Sequence, residues 1–393
     1  MVVRSRLHVE EGLGIAQQQL PISGLGTTYT MAQVAAWIDA QHYAVGRWDG
    51  SMSIFDFSDG ASGRPKITVA VSTPSTEGVQ MIEWLGPNLV ATSNDEASVL
   101  LWSTQRGDWE DITAAGTLTF PATLGVANSA ACYACAGRTY FVIGHANGFV
   151  TIWIGSTPSA FAMACPPIDL TTTNPTNPWN LQNIRGVALL DAPGDSSVRQ
   201  VVTGSENGLI CVIEAPSGKV LSRTVYHAGA QRGINAISVT GDHLAVANCA
   251  VGLADFNFWY YVIDPQTWQP ELRSKFNLVV DGSRPQVFNF DVAWCLYQQN
   301  GIASAGVLAS TEEGYLWLVT LEQDGTMAVF GNQKITSPLG CAMALNTQGQ
   351  LAVSAYDLYN FQLAVPVADK NSDHPGRLSP DMLGINHRSG SQS

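Results

Sequence analysis

One phrase keeps returning along this sequence, a short polar turn followed by an apolar strand, and a repeat of this kind limits the folds open to it. Gly46 Arg47 Trp48 Asp49 Gly50 leads into Ser51 to Asp56, Ser93 to Ala97 into Ser98 to Ser103, Gly144 to Gly148 into Thr151 Ile152 Trp153, and Gly204 to Gly208 into Cys211 Val212 Ile213. Measured on the apolar residue that closes each phrase, the copies fall at Phe55, Trp102, Trp153, Ile213, Ile263, Val319 and Ala364, spaced by 47, 51, 60, 50, 56 and 45 residues. Six residues earlier stand Asp49, Glu96, Asn147, Asn207, Asn257, Glu313 and Leu358, with glycine following at 50, 148, 208 and 314. Asp-Gly and Asn-Gly supply the positive φ angles of two-residue hairpin turns, so each unit is expected to contain a hairpin.

The strand entering each turn is nearly all apolar, as in Tyr43 to Gly46, Tyr140 to Ile143 and Leu244 to Ala247. Such runs suit central strands covered on both faces. With one further strand on either side, each unit has room for four. Seven four-stranded antiparallel sheets around an axis make an all-β, seven-bladed β-propeller, the expected fold.

Strand, Asp/Asn-Gly turn, and strand ending in an aromatic and a polar residue together resemble the WD40 repeat family over roughly residues 2 to 367. Leu101 Trp102 Ser103 and Ile152 Trp153 Ile154 carry its Trp, Ile54 Phe55 Asp56 and Val262 Ile263 Asp264 its Asp, and no copy has the complete pair. The Gly-His pair at 144 and 145 lies at the hairpin, so the family's Asp-His-Ser-Trp network is expected to be absent or degenerate. The resemblance implies that an N-terminal strand, placed at Val2 to Val9, completes the last sheet and removes an exposed edge. Residues 13 to 28 then form a connection. The propeller ends at 367, and 368 to 393 form a disordered tail.

Charge narrows the function. Charged residues make up only 13% of the chain, about half the roughly 25% of an average domain, and the net formal charge is −13. Nucleic-acid affinity rests on basic groups, so no nucleic-acid partner is expected. Charge depletion also marks buried interface cores, which suggests a constitutive protein partner and a monomeric propeller held within a hetero-complex. The uncharged stretches Ile112 to Gly137 and Thr139 to Ile168 are too rich in Thr, Ser, Asn, Pro and Gly to read as membrane spans. Seven scattered cysteines and no Asn-x-Ser/Thr acceptor (x not Pro) fit free thiols in the cytoplasm. Cys132 and Cys135 lie in a strand-like segment, where i and i+3 point to opposite faces. They read as buried small residues, not as a metal pair.

No nucleophile elbow, phosphate loop, zinc helix or calcium loop is present, and neither catalytic, cofactor nor metal residues can be assigned. The expected function is a non-catalytic interaction scaffold or recognition subunit. A sensor that binds a small ligand or metal in the central channel is the alternative, and a channel-centred hydrolase or lyase the weaker one.

Loops that have outgrown the repeat mark the binding face. One spans Pro166 to Gln182 and carries Trp179, between the third and fourth blades; the other, Cys249 to Asn257, lies inside the fifth hairpin and runs on into Phe258 and Trp259. In the propeller order that the resemblance implies, both open on one face. The expected partner-binding residues are Trp179, Phe256, Phe258 and Trp259 as aromatic contacts, with Asp49, Glu96, His145 and Glu206 around an acidic channel mouth favouring basic or neutral peptides. Competing roles are a lid for Trp179, inter-blade packing for Trp259, and turn formation for the carboxylates.

Overall fold

A computed structural model describes residues 16–20, 32–57, 66–71, 78–94, 96–174, 180–190, 196–225, 233–249, 257–278, 289–299, 302–311, 313–334, 342–346, 350–354 and 358–362. Its strands follow the repeat. Blade 1 holds β2 (Ala32–Trp37), β3 (His42–Arg47), β4 (Ser51–Asp56) and β5 (Ile67–Ala70); blade 2 holds β6 (Ile82–Gly86), β7 (Leu89–Ser93), β8 (Ser98–Ser103) and β9 (Thr113–Thr119). Blade 3 contains β10 (Ala127–Cys135), β11 (Arg138–His145), β12 (Phe149–Gly155), β13 (Ala162–Met163) and β14 (Ile168–Asp169). Blade 4 runs through β15 (Ile184–Leu189), β16 (Arg199–Ser205), β17 (Leu209–Ala215) and β18 (Lys219–Val225), and blade 5 through β19 (Gly233–Thr240), β20 (His243–Cys249), β21 (Phe258–Ile263) and β22 (Pro270–Phe276). Blade 6 has β23 (Asn289–Gln299), β24 (Ile302–Thr311), β25 (Tyr315–Leu321) and β26 (Met327–Lys334). A closing sheet pairs β27 (Ala342–Leu345), β28 (Gln350–Ser354) and β29 (Leu358–Gln362) with β1 (Ala16–Leu20).

The all-β propeller of antiparallel sheets is therefore present, with one correction. Four-stranded sheets number six, not seven: blade 3 has five strands, because its outer edge is split into two two-residue pieces that both pair with β12. Pro166 and Pro167 lie between the pieces, and proline cannot donate to a ladder.

The first strands of neighbouring sheets touch in succession, β2 to β6, β10, β15, β19, β23 and β27, and β27 returns to β2. They line the axis. The apolar core is divided among the junctions, with separate clusters between blades 1 and 2, 2 and 3, 3 and 4, and 4 and 5. Small residues near the end of the second strands allow this packing. A Cβ on Gly144 would stand 2.5 Å from Ile184 Cγ2, and one on Gly204 2.7 Å from Ile234 Cγ2, each on the first strand of the next blade.

The hairpins of blades 1, 3, 4 and 6 are three-residue turns, not the expected two-residue ones. Gly50 N donates to Arg47 O, Gly148 N to His145 O, Gly208 N to Ser205 O and Gly314 N to Thr311 O. Each of these glycines has φ between 78° and 84°, while the Asp, Asn or Glu before it does not enter the left-handed region.

The closing strand is also relocated. β1 covers Ala16–Leu20, inside the segment expected to be a connection, and pairs antiparallel with β29 from Ala16↔Gln362 to Leu20↔Leu358. The expected strand at Val2 to Val9 and the expected tail from 368 lie outside the described residues. Among the described residues no helix is long and apolar enough to cross a membrane.

Candidate functional site

Second-to-third-strand hairpins and fourth-to-first-strand connections open on one side of the ring, here the hairpin face. Val71 N donates to Gly50 O, Phe120 N to Ala97 O and Leu170 N to Gly148 O, so each outer strand ends beside its own blade's hairpin. The grown connection between β14 and β15 lies on this face. Its base is clamped by one side chain: Thr172 N donates to Gln182 Oε1 at 3.0 Å, and Gln182 Nε2 returns to Thr172 O at 3.0 Å. Asn174 Nδ2 donates to Asn207 O at 2.8 Å, and Asn207 Nδ2 donates to Thr172 O, tying the loop to the blade 4 hairpin. Asn207 belongs to the repeat position six residues before the closing aromatic or aliphatic. The asparagines there act as staples: Asn147 Nδ2 donates to Thr123 O, and Asn257 pairs with both backbone groups of Leu278.

The expected binding residues divide. Trp179 and Phe256 lie outside the described residues. Phe258 and Trp259 are strand residues of β21, 0% and 4% exposed. Trp259 packs with Tyr261 and with Lys275 Nζ, 5.2 Å above its ring, so its burial within and between sheets takes it off the surface. His145 is fully buried: Nε2 meets Thr151 Oγ1 at 2.9 Å, the same hydroxyl accepts from Trp153 Nε1 at 3.0 Å, and Phe120 stands edge-on to the ring. Burial lowers its pKa to about 4, against a smaller opposing contribution from the Gly125 backbone, so the imidazole is neutral at pH 7. Trp102 Nε1 likewise donates to Thr92 Oγ1 at 2.8 Å, so Trp-Thr pairs hold these hairpins.

Asp49, Glu96 and Glu206 sit in three different environments. Asp49 is half-buried and caps its own turn, with Oδ1 accepting from Ser51 N and Ser51 Oγ. Glu96 is exposed. Glu206 is buried, accepts from Asn183 Nδ2, and faces Arg185 Nε at 3.5 Å. Cys132 and Cys135 fall in different cores, between blades 2 and 3 and between blades 3 and 4, and among the described residues no three His, Cys, Asp or Glu converge on a possible metal position.

Sequence reasoning missed Arg185. This residue opens the first strand of blade 4, and its Nη1 donates at 3.0 Å to Gln80 Oε1 beside the first strand of blade 2, passing blade 3. A signal existed: Ala32 Gln33 Val34, Ala127 Asn128 Ser129, Ile184 Arg185 Gly186 and Ile234 Asn235 Ala236 all place a polar residue after an apolar one where a first strand begins.

No family model matches the chain, and no curated protein matches it. Among solved structures it is similar to the β-propeller domain of Myceliophteria thermophila Cps50 (Swd1), with a TM-score of 0.56 and 14% identity over 86% of this chain and 98% of that one. That likeness shows the fold alone.

Proposed function

We propose that this chain is a non-catalytic scaffold or recognition subunit that holds a protein partner on its hairpin face in a stable complex. The observation that carries the reading is the Gln182 clamp, which closes the base of the 172–182 loop and fixes it to the blade 4 hairpin. Anchoring the base of a loop before binding lowers the entropic cost of association, which favours presentation over plain connection. The scarcity of charge, 13% of the chain, supports a partner that covers much of the surface.

Trp179 and Phe256 remain the proposed aromatic contacts. Trp259 is left out, since truncating a buried Trp costs about 3–5 kcal/mol and would confound binding with unfolding. The test is affinity purification of the tagged chain from its native host at moderate salt, beside a Trp179→Ala, Phe256→Ala variant with unchanged Tm. A stoichiometric partner that the variant loses is the expected result. A wild-type chain recovered alone and monomeric defeats the reading.

A further inference from the structure

The polar residues that open the first strands are β-bulges. Pairing between first and second strands skips one residue between Ala32 and Val34, Ala127 and Ser129, Ile184 and Gly186, and Ile234 and Ala236. The skipped residues are Gln33, Asn128, Arg185 and Asn235. In blade 2, Gln80 stands just before β6, where Gln80 N and Met81 N both donate to Ser93 Oγ. A bulged residue is released from the ladder and its side chain is re-aimed. Because the first strands line the axis, successive blades set these side chains around one mouth of the channel. The Arg185 to Gln80 bond, joining blades 4 and 2, shows that these two side chains meet.

Asn128 stands between those two in blade order. It is 8% exposed, and its Nδ2 is buried with no hydrogen-bond partner. An unfilled buried donor costs stability unless something accepts from it. Arg185 is 31% exposed at its side chain and directs Nε to Glu206 and Nη1 to Gln80, two contacts that do not use Nη2.

We infer that this mouth is a carboxylate-binding site, in which Arg185 and Asn128 receive an Asp, Glu or C-terminal carboxylate of a peptide segment and Gln80 yields its place on Nη1. The planar guanidinium fork matches a carboxylate. A dianionic phosphate is the poorer fit, since the described residues named here supply one guanidinium, already facing Glu206, beside the neutral amides of Asn128 and Gln80. The inference rests on the scaffold reading and replaces the acidic mouth with a local preference for an acidic segment.

Calorimetric titration of the full chain with acetylated hexaglutamate at low salt tests it. Wild type should bind, with affinity falling as salt rises. Arg185→Gln should lose at least about tenfold in affinity and Asn128→Ala at least about threefold, while Lys275→Gln, on outer strand β22, should change nothing. Should Arg185→Gln fail to fold, Arg185→Lys at unchanged Tm must still lose about threefold, because it keeps the charge and loses the fork. Absence of binding, equal binding by the Arg185 variants, or equal binding of hexalysine overturns the site. Asn128→Ala binding like wild type overturns its role and leaves a bound water as its partner. Tighter binding of a phosphoserine hexapeptide overturns the choice of carboxylate. Hexaglutamate binding with no native partner would sink the scaffold reading alone, and a native partner fully retained by Arg185→Gln would sink this site alone.

Discussion

Trp109 Nε1 donates to Asp39 Oδ2 at 2.8 Å, across 70 residues of sequence, and joins the turn after β2 in blade 1 to the loop before β9 in blade 2. The same carboxylate accepts from Gln41 N and His42 N at 2.7 Å and meets His42 Nδ1 at 2.7 Å. Burial raises the Asp39 pKa, but the bonds from His42, Gln41 and Trp109 together outweigh it and hold the group below its ordinary 3.8. A depressed carboxylate contributes stability above its unfolded pKa and loses it as pH falls through the folded one. Asp39→Asn should therefore destabilise by about 1–3 kcal/mol at pH 7, and urea titrations should show the gap to wild type narrowing below pH 4.

His145 gives the chain a second acid sensitivity at higher pH. Its folded pKa of about 4 lies below the ordinary 6.5, so the unfolded chain takes up a proton first. Stability should fall as pH drops from about 6.5 to about 4 and then level, by up to roughly 3 kcal/mol. His145→Gln should flatten this part of the Tm-against-pH curve. An unchanged slope would show that the imidazole titrates normally.

The close approach at Gly144 predicts an overpacking penalty. Gly144→Ala would set its Cβ 2.5 Å from Ile184 Cγ2 and 2.8 Å from Ser129 Oγ, and should cost about 1–3 kcal/mol. Ile184→Ala in the same chain should recover part of that loss. A double-mutant cycle by urea denaturation measures the coupling.

Gln182→Leu should loosen the loop without unfolding the ring. It removes both bonds to Thr172 in a half-buried place, so Tm should fall by only a few degrees while proteolysis between residues 173 and 181 speeds several-fold. The partner of the scaffold reading should then bind more weakly, through faster dissociation.

Hairpins such as Trp48 to Gly50 and Asn147 to Gly148 were legible because a turn and its flanking strands are written within a few residues. The closing strand was not, for a physical reason. The resemblance implied only that an N-terminal strand closes the ring, whereas β1 reads Ala-Gln-Gln-Gln-Leu, a polar run with no apolar pattern to mark it, and takes the outermost place in its sheet, which does not require burial on both faces. His145 and Trp259 misled in the opposite way. A histidine at a hairpin and an aromatic beside a grown loop look like surface groups, yet the second and third strands bury both faces against neighbouring blades. Arg185 escaped notice because a bulge is a property of two strands in register, and only the paired structure reveals which residue is skipped.

The pairing of β1 with β29 also sets a schedule for synthesis. Blades 1 to 6 are each built from contiguous stretches of chain, so each sheet can form as it emerges. The closing sheet joins Ala16 to Gln362, and its last ladder waits until residue 362 has left the ribosome. Until then the nascent ring is an open arc with two unsatisfied ends, which is the interval in which a chaperone or an early-binding partner has most to protect.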